Sequence, residues 1–320
     1  MTLHSLDVDA LWAAFTDTLP PESRDDAAKL AAWLGLAPIA GIPWSRVFKH
    51  EVTLAAPALV ADAMPDVSPA MVRLAVMSHL LGIVEAFATD RIADAQAVDS
   101  WQIQQLLRRL RATRDQAVEA LNPHLPSTFP QAERRARAAI ATERVLLGDH
   151  TPLSFADYHC LSLAKQAAAF PATLALTDVV GWDARRRRVA ARVLEGIVMG
   201  LQLHDDVVDW EEDWQQGASW AVCLSRGKHV AAWPAERSSD LGLVRLHLQC
   251  TGVLTDMLER AGRHFRNSSR LASALGAARL AAWSHTQQRR LEEVTMRERE
   301  SSGYAVRARQ LRAWATEVLA

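Results

Sequence analysis

Apolar residues recur at steps of three and four along most of this 320-residue chain, which is the period of an α-helix. Alternating runs of β-branched residues are missing, and alanine and leucine dominate the apolar residues. The pattern predicts an all-α fold. Residues 121–131 and 146–154 have the composition of loops, and neither is long enough for a domain linker. We therefore expect a single helical domain over residues 1–320, with residues 1–40 as peripheral N-terminal helices.

The first helix that can be placed carries two carboxylates at its far end. Ser68 is a suitable N-cap, and Pro69 fits the first helical position, where no backbone N–H is needed. One row of side chains at helical spacing then runs from apolar residues into acids: Leu80, Ile83, Phe87, Asp90 and Asp94. Because this row should face the core, the two carboxylates are predicted on the buried face of the helix.

A second long helix shows the same change from apolar residues to acids. Gly181 breaks the preceding element, Asp183 is a suitable N-cap, and Gly217 is a suitable C-terminal stop. The corresponding row consists of Leu194, Val198, Leu201, Asp205, Asp209 and Asp213. Two acids fall outside it: we expect Asp206 to bond a nearby cation and Glu212 to face water.

A third helix lies between these two in the sequence and carries one cation. Ser154, followed three residues later by Asp157, forms an approximate capping box. Lys165 then stands among small apolar residues, and Pro171 is expected to kink or end the helix.

The paired acids need a positive partner. A buried carboxylate without compensation costs several kcal/mol or takes up a proton. Carboxylate oxygens are hard ligands, and Mg²⁺ binds through a few of them while water and substrate phosphates complete its shell. We therefore predict Mg²⁺ at the two acid clusters, with a diphosphate substrate supplying the missing ligands.

Composition excludes several other classes of protein. The 36 basic and 37 acidic residues leave a net charge of -1, so no nucleic-acid partner is expected. Three scattered cysteines favour reduced thiols and a cytoplasmic location. The N-terminus lacks the features of a signal peptide, and the apolar run over residues 161–182 is interrupted by polar residues and proline, so no membrane insertion is expected.

The second acidic stretch, "GLQLHDDVVD" (residues 200–209), resembles the second aspartate-rich motif, D-D-x-x-D, of the trans-isoprenyl diphosphate synthases. Asp205, Asp209 and Asp213 also stand at the spacing of the second metal motif of class I terpene synthases. The chain is thus similar to the class I terpenoid synthase superfamily, and most like a bacterial class I terpene synthase. This resemblance implies a single α-helical bundle around a central active-site cavity.

The first acidic stretch, "DRIAD" (Asp90 to Asp94), stands where that superfamily has its first motif. It departs from D-D-x-x-D at Arg91 and is closer to the D-x-x-x-D motif of squalene and phytoene synthases. Lys165 takes the place of a diphosphate-contacting lysine of prenyl synthases. Arg46 and Lys49 are a weak match to a further basic motif.

The resemblance implies a Mg²⁺-dependent lyase that ionises a linear allylic prenyl diphosphate and cyclises the carbocation. Three Mg²⁺ ions would be present with substrate bound, held by Asp90, Asp94, Asp205, Asp209 and Asp213. The diphosphate would contact Lys165, Arg226 and Lys228. Phe87 and Phe170 would line the cavity. A homodimer is also compatible with the resemblance.

Two departures favour cyclisation over chain elongation. "AQAVDSWQ" follows the first motif in place of an Arg-Arg-Gly element, and Lys228 comes late after the second motif. Two alternatives stay open. One is a prenyl-coupling enzyme, either an elongase or a head-to-head synthase of the squalene and phytoene type. The other is a non-catalytic prenyl-synthase-like subunit, in which Arg91 pairs with the acids and displaces metal.

Overall fold

The computed structural model describes residues 7–123, 128–228 and 241–319, and it describes side chains as far as residue 307, apart from that of Thr128. These residues form fifteen α-helices and no strand, which confirms the predicted all-α fold. The helices are α1 (Val8–Asp17), α2 (Pro21–Trp33), α3 (Trp44–Val47), α4 (Glu51–Ala61), α5 (Pro69–Ala93), α6 (Trp101–Leu121), α7 (Thr128–Gly148), α8 (Phe155–Lys165), α9 (Pro171–Val179), α10 (Ala184–Val208), α11 (Trp210–Gln215), α12 (Trp220–Gly227), α13 (Leu241–Thr251), α14 (Val253–Leu275) and α15 (Ala278–Leu319). A 3₁₀ helix, Gln166–Ala169, connects α8 to α9.

The chain divides into two compact units. The first contains Met1–Ile140, Ala164–Leu194 and Arg270–Ala282, and the second contains Ala141–Leu163, Glu195–Ser269 and Trp283–Ala320. The single domain expected from the sequence stays a prediction, as does the peripheral role of residues 1–40.

The predicted helix boundaries depend on local capping, and most of them are confirmed. Ser68 Oγ accepts from the backbone N–H of Met71 at 3.2 Å, and Pro69 opens α5. Asp183 caps α10 by accepting from the N–H of Arg186 at 2.8 Å. Gly217, with a φ of +92°, follows α11.

The loop predictions are confirmed only in part. Residues 149–154 are non-helical between α7 and α8, as expected. In the other predicted loop, residues 124–127 lie outside the described residues, and α7 already begins at Thr128. Ser154 and Asp157 form the predicted capping box, in which the Ser154 N–H donates to Asp157 at 2.9 Å and the Asp157 N–H donates to Ser154 Oγ at 3.2 Å.

Helix α5 forms the core of the first unit. Helices α1, α4, α6 and α9 and the 3₁₀ helix all contact it. Every residue from Ser78 to Glu85 is buried. The predicted one-sided apolar row is therefore wrong in the middle of the helix, because neighbours cover α5 on all sides there.

Composition alone would let α5 cross a membrane. An 18-residue window of this helix has a mean hydropathy of 1.6, although no membrane-spanning segment was predicted there. However, 61% of that window is buried inside the protein.

A charged residue lies in the middle of this apolar helix. Glu85 is buried and pairs with Arg114 and Arg111, each at 2.5 Å. Arg114, only 1% exposed, also pairs with Glu133 at 2.5 Å and with Asp115 at 2.8 Å. Burial raises the pKa of the Glu85 carboxyl, and the Arg114 guanidinium opposes that rise. The network thus links α5, α6 and α7 through groups that would be costly to bury alone.

Two glycines allow helix α10 to approach α14 closely in the second unit. A Cβ atom on Gly196 would lie 2.2 Å from Ser268 Oγ, and one on Gly200 would lie 2.8–3.0 Å from the ring of Phe265. Such distances are shorter than normal non-bonded contacts, so any larger residue would force α10 and α14 apart.

We predict that Gly200→Ala lowers the free energy of unfolding by about 1–3 kcal/mol, because the new methyl group overpacks the Phe265 ring. Gly262→Ala is the matched control: it lies within α14, and no heavy atom stands within 4 Å of its Cβ position. The control should gain roughly 0.5–1 kcal/mol from reduced backbone entropy. Urea denaturation followed by circular dichroism measures both, and equal stability of the two variants would contradict the predicted contact.

His79 is buried in α5, and its Nε2 lies 3.0 Å from the carbonyl oxygen of Thr53. Burial lowers the pKa of His79 from 6.5 to about 4. The unfolded chain therefore binds a proton that the folded chain does not, so stability is present above pH 6.5 and is lost as the pH falls towards 4.

Between pH 7 and pH 5 this single histidine is expected to cost about 2 kcal/mol of unfolding free energy. In His79→Gln that pH-dependent part should disappear, so its urea midpoint should fall less on acidification than that of the wild type. His285→Gln, at an exposed position, is the control, and its urea midpoint should fall on acidification as much as that of the wild type. A His79→Gln profile parallel to the wild type would refute the assignment.

Candidate active site

The first acidic motif lies at the C-terminal end of α5. Asp90 is in the last turn, and Asp94 is the C-cap residue, whose N–H donates to the Asp90 carbonyl at 2.9 Å. The chain then turns at Ala95, which has a φ of 56°. The carbonyl end of a helix disfavours negative charge, so a cation near these carboxylates would be stabilising.

A cavity in the first unit opens beside Asp90. It encloses about 630 Å³, with the solvent at its mouth included, between α5, α7, the end of α8 and the 3₁₀ helix. The polar lining residues are Glu85, Thr89, Asp90, Glu133, Arg137, Lys165 and Gln166. Most of the others are apolar or small, and they include Phe87. The predicted cavity residue Phe170 is not among those that line it.

Lys165 and Asp90 meet at this cavity. The Lys165 Nζ lies 3.1 Å from Asp90 Oδ1, and the two side chains are 17% and 26% exposed. That same oxygen is buried and accepts no hydrogen bond with acceptable geometry. The contact is therefore an ion pair without an aligned hydrogen bond. A carboxylate oxygen left in this state has the chemistry of a divalent-cation ligand, so Asp90 fits the predicted Mg²⁺.

Local chain geometry puts Lys165 there. Helix α8 ends at Lys165, and the chain tightens into the 3₁₀ helix Gln166–Ala169 before Pro171 opens α9. The helix break predicted near Pro171 thus occurs before the proline. Lys165 is therefore the last residue of α8 and does not lie in the middle of a longer helix.

Arg91 does not neutralise the first motif. Its guanidinium packs on Gly35, where a Cβ atom would lie 3.2 Å from Arg91 Nη2. The Nε atom of Arg91 is buried without a hydrogen-bond partner, and over the described ranges Arg91 forms no ion pair. This weakens the expectation that Arg91 pairs with the acids and displaces metal.

The second acidic motif spans two helices rather than one. Helix α10 ends at Val208, and Asp209 precedes α11. Backbone hydrogen bonds of 2.9 Å nevertheless connect Asp209 to Asp205 and Asp213 to Asp209. The predicted single helix is therefore interrupted at the middle acid of the row.

The burial of this motif corrects the sequence interpretation. Asp205 and Asp209 are exposed, and Asp213 is half-buried. The buried row is instead made of Leu203, Asp206, Trp210 and Trp214. The prediction that the metal-motif acids lie on the buried face of α10 is wrong, because the core contacts the helix through residues one place further along. Desolvation raises the pKa of Asp209, and Glu212 adds to that rise.

Asp206 belongs to a buried hydrogen-bond network. It is 6% exposed, and it accepts from the Tyr158 hydroxyl at 2.5 Å and from Gln202 Nε2 at 2.9 Å. Burial raises the pKa of Asp206 to about 8. The Tyr158 ring packs edge-on against Trp220, whose indole N–H donates to Glu143 at 2.6 Å. The expected cation partner of Asp206 is therefore replaced by two neutral donors.

The remaining predicted cations have diverse surroundings. Lys228 Nζ pairs with Asp256 at 2.6 Å and donates to the Thr251 carbonyl at 2.9 Å. Arg226 is half-buried near the end of α12. Arg46 and Lys49 are exposed.

The weakly matched basic segment does reach the first motif helix through an aromatic side chain. Phe48 lies between the two cations of that segment, and its ring centroid is 4.7 Å from that of Phe87. The Trp44 ring stacks on that of Phe48, and their centroids are 5.9 Å apart. Phe87 thus connects residues 44–48 to the cavity.

The first unit brings Asp90, Lys165 and Phe87 to one cavity, and their roles stay predictions. Over the described ranges, no three or more His, Cys, Asp or Glu residues form a group that could hold a metal ion. The five-carboxylate Mg²⁺ site therefore stays a prediction. Sequence reasoning missed Glu85 and Glu133 in the cavity wall. An acid in the apolar centre of α5, together with the arginines of "LLRRLRATRD", was the available signal.

No family model and no curated protein matches the chain. Solved structures do. A polyprenyl synthetase from Streptomyces coelicolor A3(2) aligns with a TM-score of 0.53 and 15% identity, over 94% of this chain and 100% of the synthetase. An octaprenyl pyrophosphate synthase from Helicobacter pylori aligns with a TM-score of 0.55 and 11% identity, over 86% and 98%. A polyprenyl synthase from Roseobacter denitrificans aligns with a TM-score of 0.56 and 14% identity, over 88% and 99%. The predicted isoprenoid synthase type of all-α fold is thereby confirmed.

We predict that Tyr158→Phe lowers the free energy of unfolding by about 1–3 kcal/mol, because buried Asp206 loses one of its two donors. The only other tyrosine of the chain supplies the control: Tyr304 is 69% exposed, and Tyr304→Phe should change stability by less than about 0.5 kcal/mol. Chemical denaturation of both variants at neutral pH makes the comparison. Equal stabilities would mean that the hydroxyl contributes nothing to the fold.

Proposed function

We propose that this protein is an enzyme that binds and ionises an allylic prenyl diphosphate, and that it couples the resulting prenyl group to a second prenyl substrate. The observation that carries the proposal is the meeting of Asp90 and Lys165 on one largely apolar cavity. The shared fold of three prenyl synthases supports coupling more than cyclisation.

The proposed roles follow from the chemistry of the side chains. Asp90 and Asp94, together with Asp205, Asp209 and Asp213, are proposed to hold Mg²⁺. When bound, Mg²⁺ acts as a Lewis acid on the diphosphate leaving group. Exposure of Asp205 and Asp209 suits this role, since solvated carboxylates bind a hydrated ion without first being desolvated.

The chain's own residues would do the remaining work in the cavity. Lys165 supplies positive charge where the leaving group becomes more negative. The apolar wall excludes water from the carbocation. The face of Phe87 can stabilise that cation by roughly 0.5–2 kcal/mol. Arg226 and Lys228 are proposed as further diphosphate contacts, and Lys228 would first have to leave Asp256.

Cyclisation of the same carbocation is the second candidate, as in a class I terpene synthase. It is favoured by the absence of an Arg-Arg-Gly element after the first motif. In its place Val98 and Trp101 are 76% and 69% exposed, and neither carries the positive charge that would attract the diphosphate of a second substrate. The non-catalytic subunit loses its main support because Arg91 packs on Gly35. A cytoplasmic location and a homodimer stay predictions.

The decisive experiment incubates the purified protein with geranyl, farnesyl or geranylgeranyl diphosphate, each with and without Mg²⁺ and isopentenyl diphosphate. A longer linear diphosphate that requires isopentenyl diphosphate would establish elongation. A hydrocarbon made from two identical allylic units would establish head-to-head coupling. A cyclic product from a single substrate would establish the terpene synthase instead. Binding without any turnover would overturn the enzyme proposal.

Carboxylate variants test the assignment of the metal residues. Asp90→Ala and Asp205→Ala should each lower turnover at least about 100-fold while the circular dichroism spectrum stays helical, because each removes a proposed ligand of the catalytic ion. Exposed Asp66→Ala is the matched control and should retain activity. Activity of Asp90→Ala or Asp205→Ala within a few-fold of the wild type would refute the assignment.

A further inference from the structure

The cation that contacts Asp90 in this structure belongs to the protein itself. The Lys165 ammonium lies 3.1 Å from Asp90 Oδ1, at the oxygen proposed to bind a divalent ion. The oxygen is buried and has no aligned hydrogen-bond donor, so the lysine holds it by charge alone. Lys165 thus stands where a metal ion would have to bind.

The Lys165 ammonium and a divalent cation cannot occupy this position at the same time. Mg²⁺ requires its oxygen ligands at about 2.0–2.1 Å in near-octahedral geometry. An ammonium 3.1 Å from the same oxygen would then be pressed against a doubly charged ion in a half-buried site, where screening is weak. One of the two must leave.

Lys165 is the group able to move. Its ammonium is carried by a flexible four-carbon chain. Lys165 is also the last residue of α8, and the chain continues from it as the 3₁₀ helix Gln166–Ala169. The cavity that Lys165 and Asp90 both line gives the ammonium space to turn into.

We propose that Lys165 and a divalent cation compete for Asp90, and that metal binding releases the Lys165 ammonium to contact a diphosphate group in the cavity. The second half of this exchange rests on the proposed function. Lys165 would then couple the two ligands: metal favours the diphosphate-binding position of the lysine, and bound diphosphate favours metal. Such coupling is reciprocal, and it commonly amounts to about 5–150-fold in affinity.

The exchange makes a prediction opposite to that for a simple metal-site residue. Lys165→Met removes the charge but keeps a long unbranched side chain, so Mn²⁺ should bind Asp90 more tightly than in the wild type, by about five-fold or more. Mn²⁺ binding to the full-length protein without diphosphate is measured by electron paramagnetic resonance. Lys165→Gln repeats the test with another uncharged side chain. Lys29→Met, which removes a partly exposed lysine of α2 that pairs with Asp25, is the matched control and should leave Mn²⁺ affinity unchanged.

The diphosphate half is tested with labelled inorganic diphosphate in equilibrium dialysis, with and without Mg²⁺. In the wild type, Mg²⁺ should strengthen binding, and in Lys165→Met most of that increase should be lost. Asp90→Asn combined with Lys165→Met should abolish the gain in Mn²⁺ affinity, because the shared carboxylate is then gone.

An unchanged or weaker Mn²⁺ affinity in both uncharged Lys165 variants would overturn the exchange. If prenyl diphosphates are nevertheless turned over, only this inference fails. If the gain in Mn²⁺ affinity is found but no prenyl diphosphate is bound or consumed, the exchange stands and the proposed function fails.

Discussion

The buried ion pair between Glu85 and Arg114 is the constraint on which the first unit depends. A carboxylate in the centre of an otherwise apolar helix can be buried only if a cation reaches it, and Arg114 of α6 does so while also binding Glu133 of α7. Gly82 leaves room for this arrangement, since a Cβ there would lie 3.1 Å from Phe129. The ion pairs thereby hold α5 and α7, which line the cavity that contains Asp90 and Lys165, to α6.

In the second unit, the buried polar group is the carboxyl of Asp206. Asp206 accepts from Tyr158 and Gln202, and the bond from Tyr158 of α8 fixes the face that α10 turns to the core. The adjacent Asp205 is consequently exposed. One aspartate of the pair is thus buried in the fold, and the other is exposed at the surface.

Local signals made the helix ends predictable, because capping involves residues three or four apart, as at Ser68 and Asp183. Around the second acidic motif the buried row lies one residue beyond the predicted one, since only contacts with distant helices decide which of two neighbouring rows faces the core. The Arg91 contact with Gly35 and the partners of Glu85 are long-range for the same reason. Residue type and spacing led to the prediction of Asp90 and Lys165 as site residues, but their direct contact was not predicted.

Because Gly196 and Gly200 approach α14 closely, substitutions at these two positions can disturb residues further along α10. A helix seated this deeply against a neighbour loses its freedom to rotate about its own axis. Asp205 lies little more than one turn beyond Gly200. The direction in which it leaves the helix axis therefore depends on Gly196 and Gly200, which carry no functional group. Natural variation at those glycines would shift the proposed metal ligand Asp205, although every acidic residue of the motif was still present.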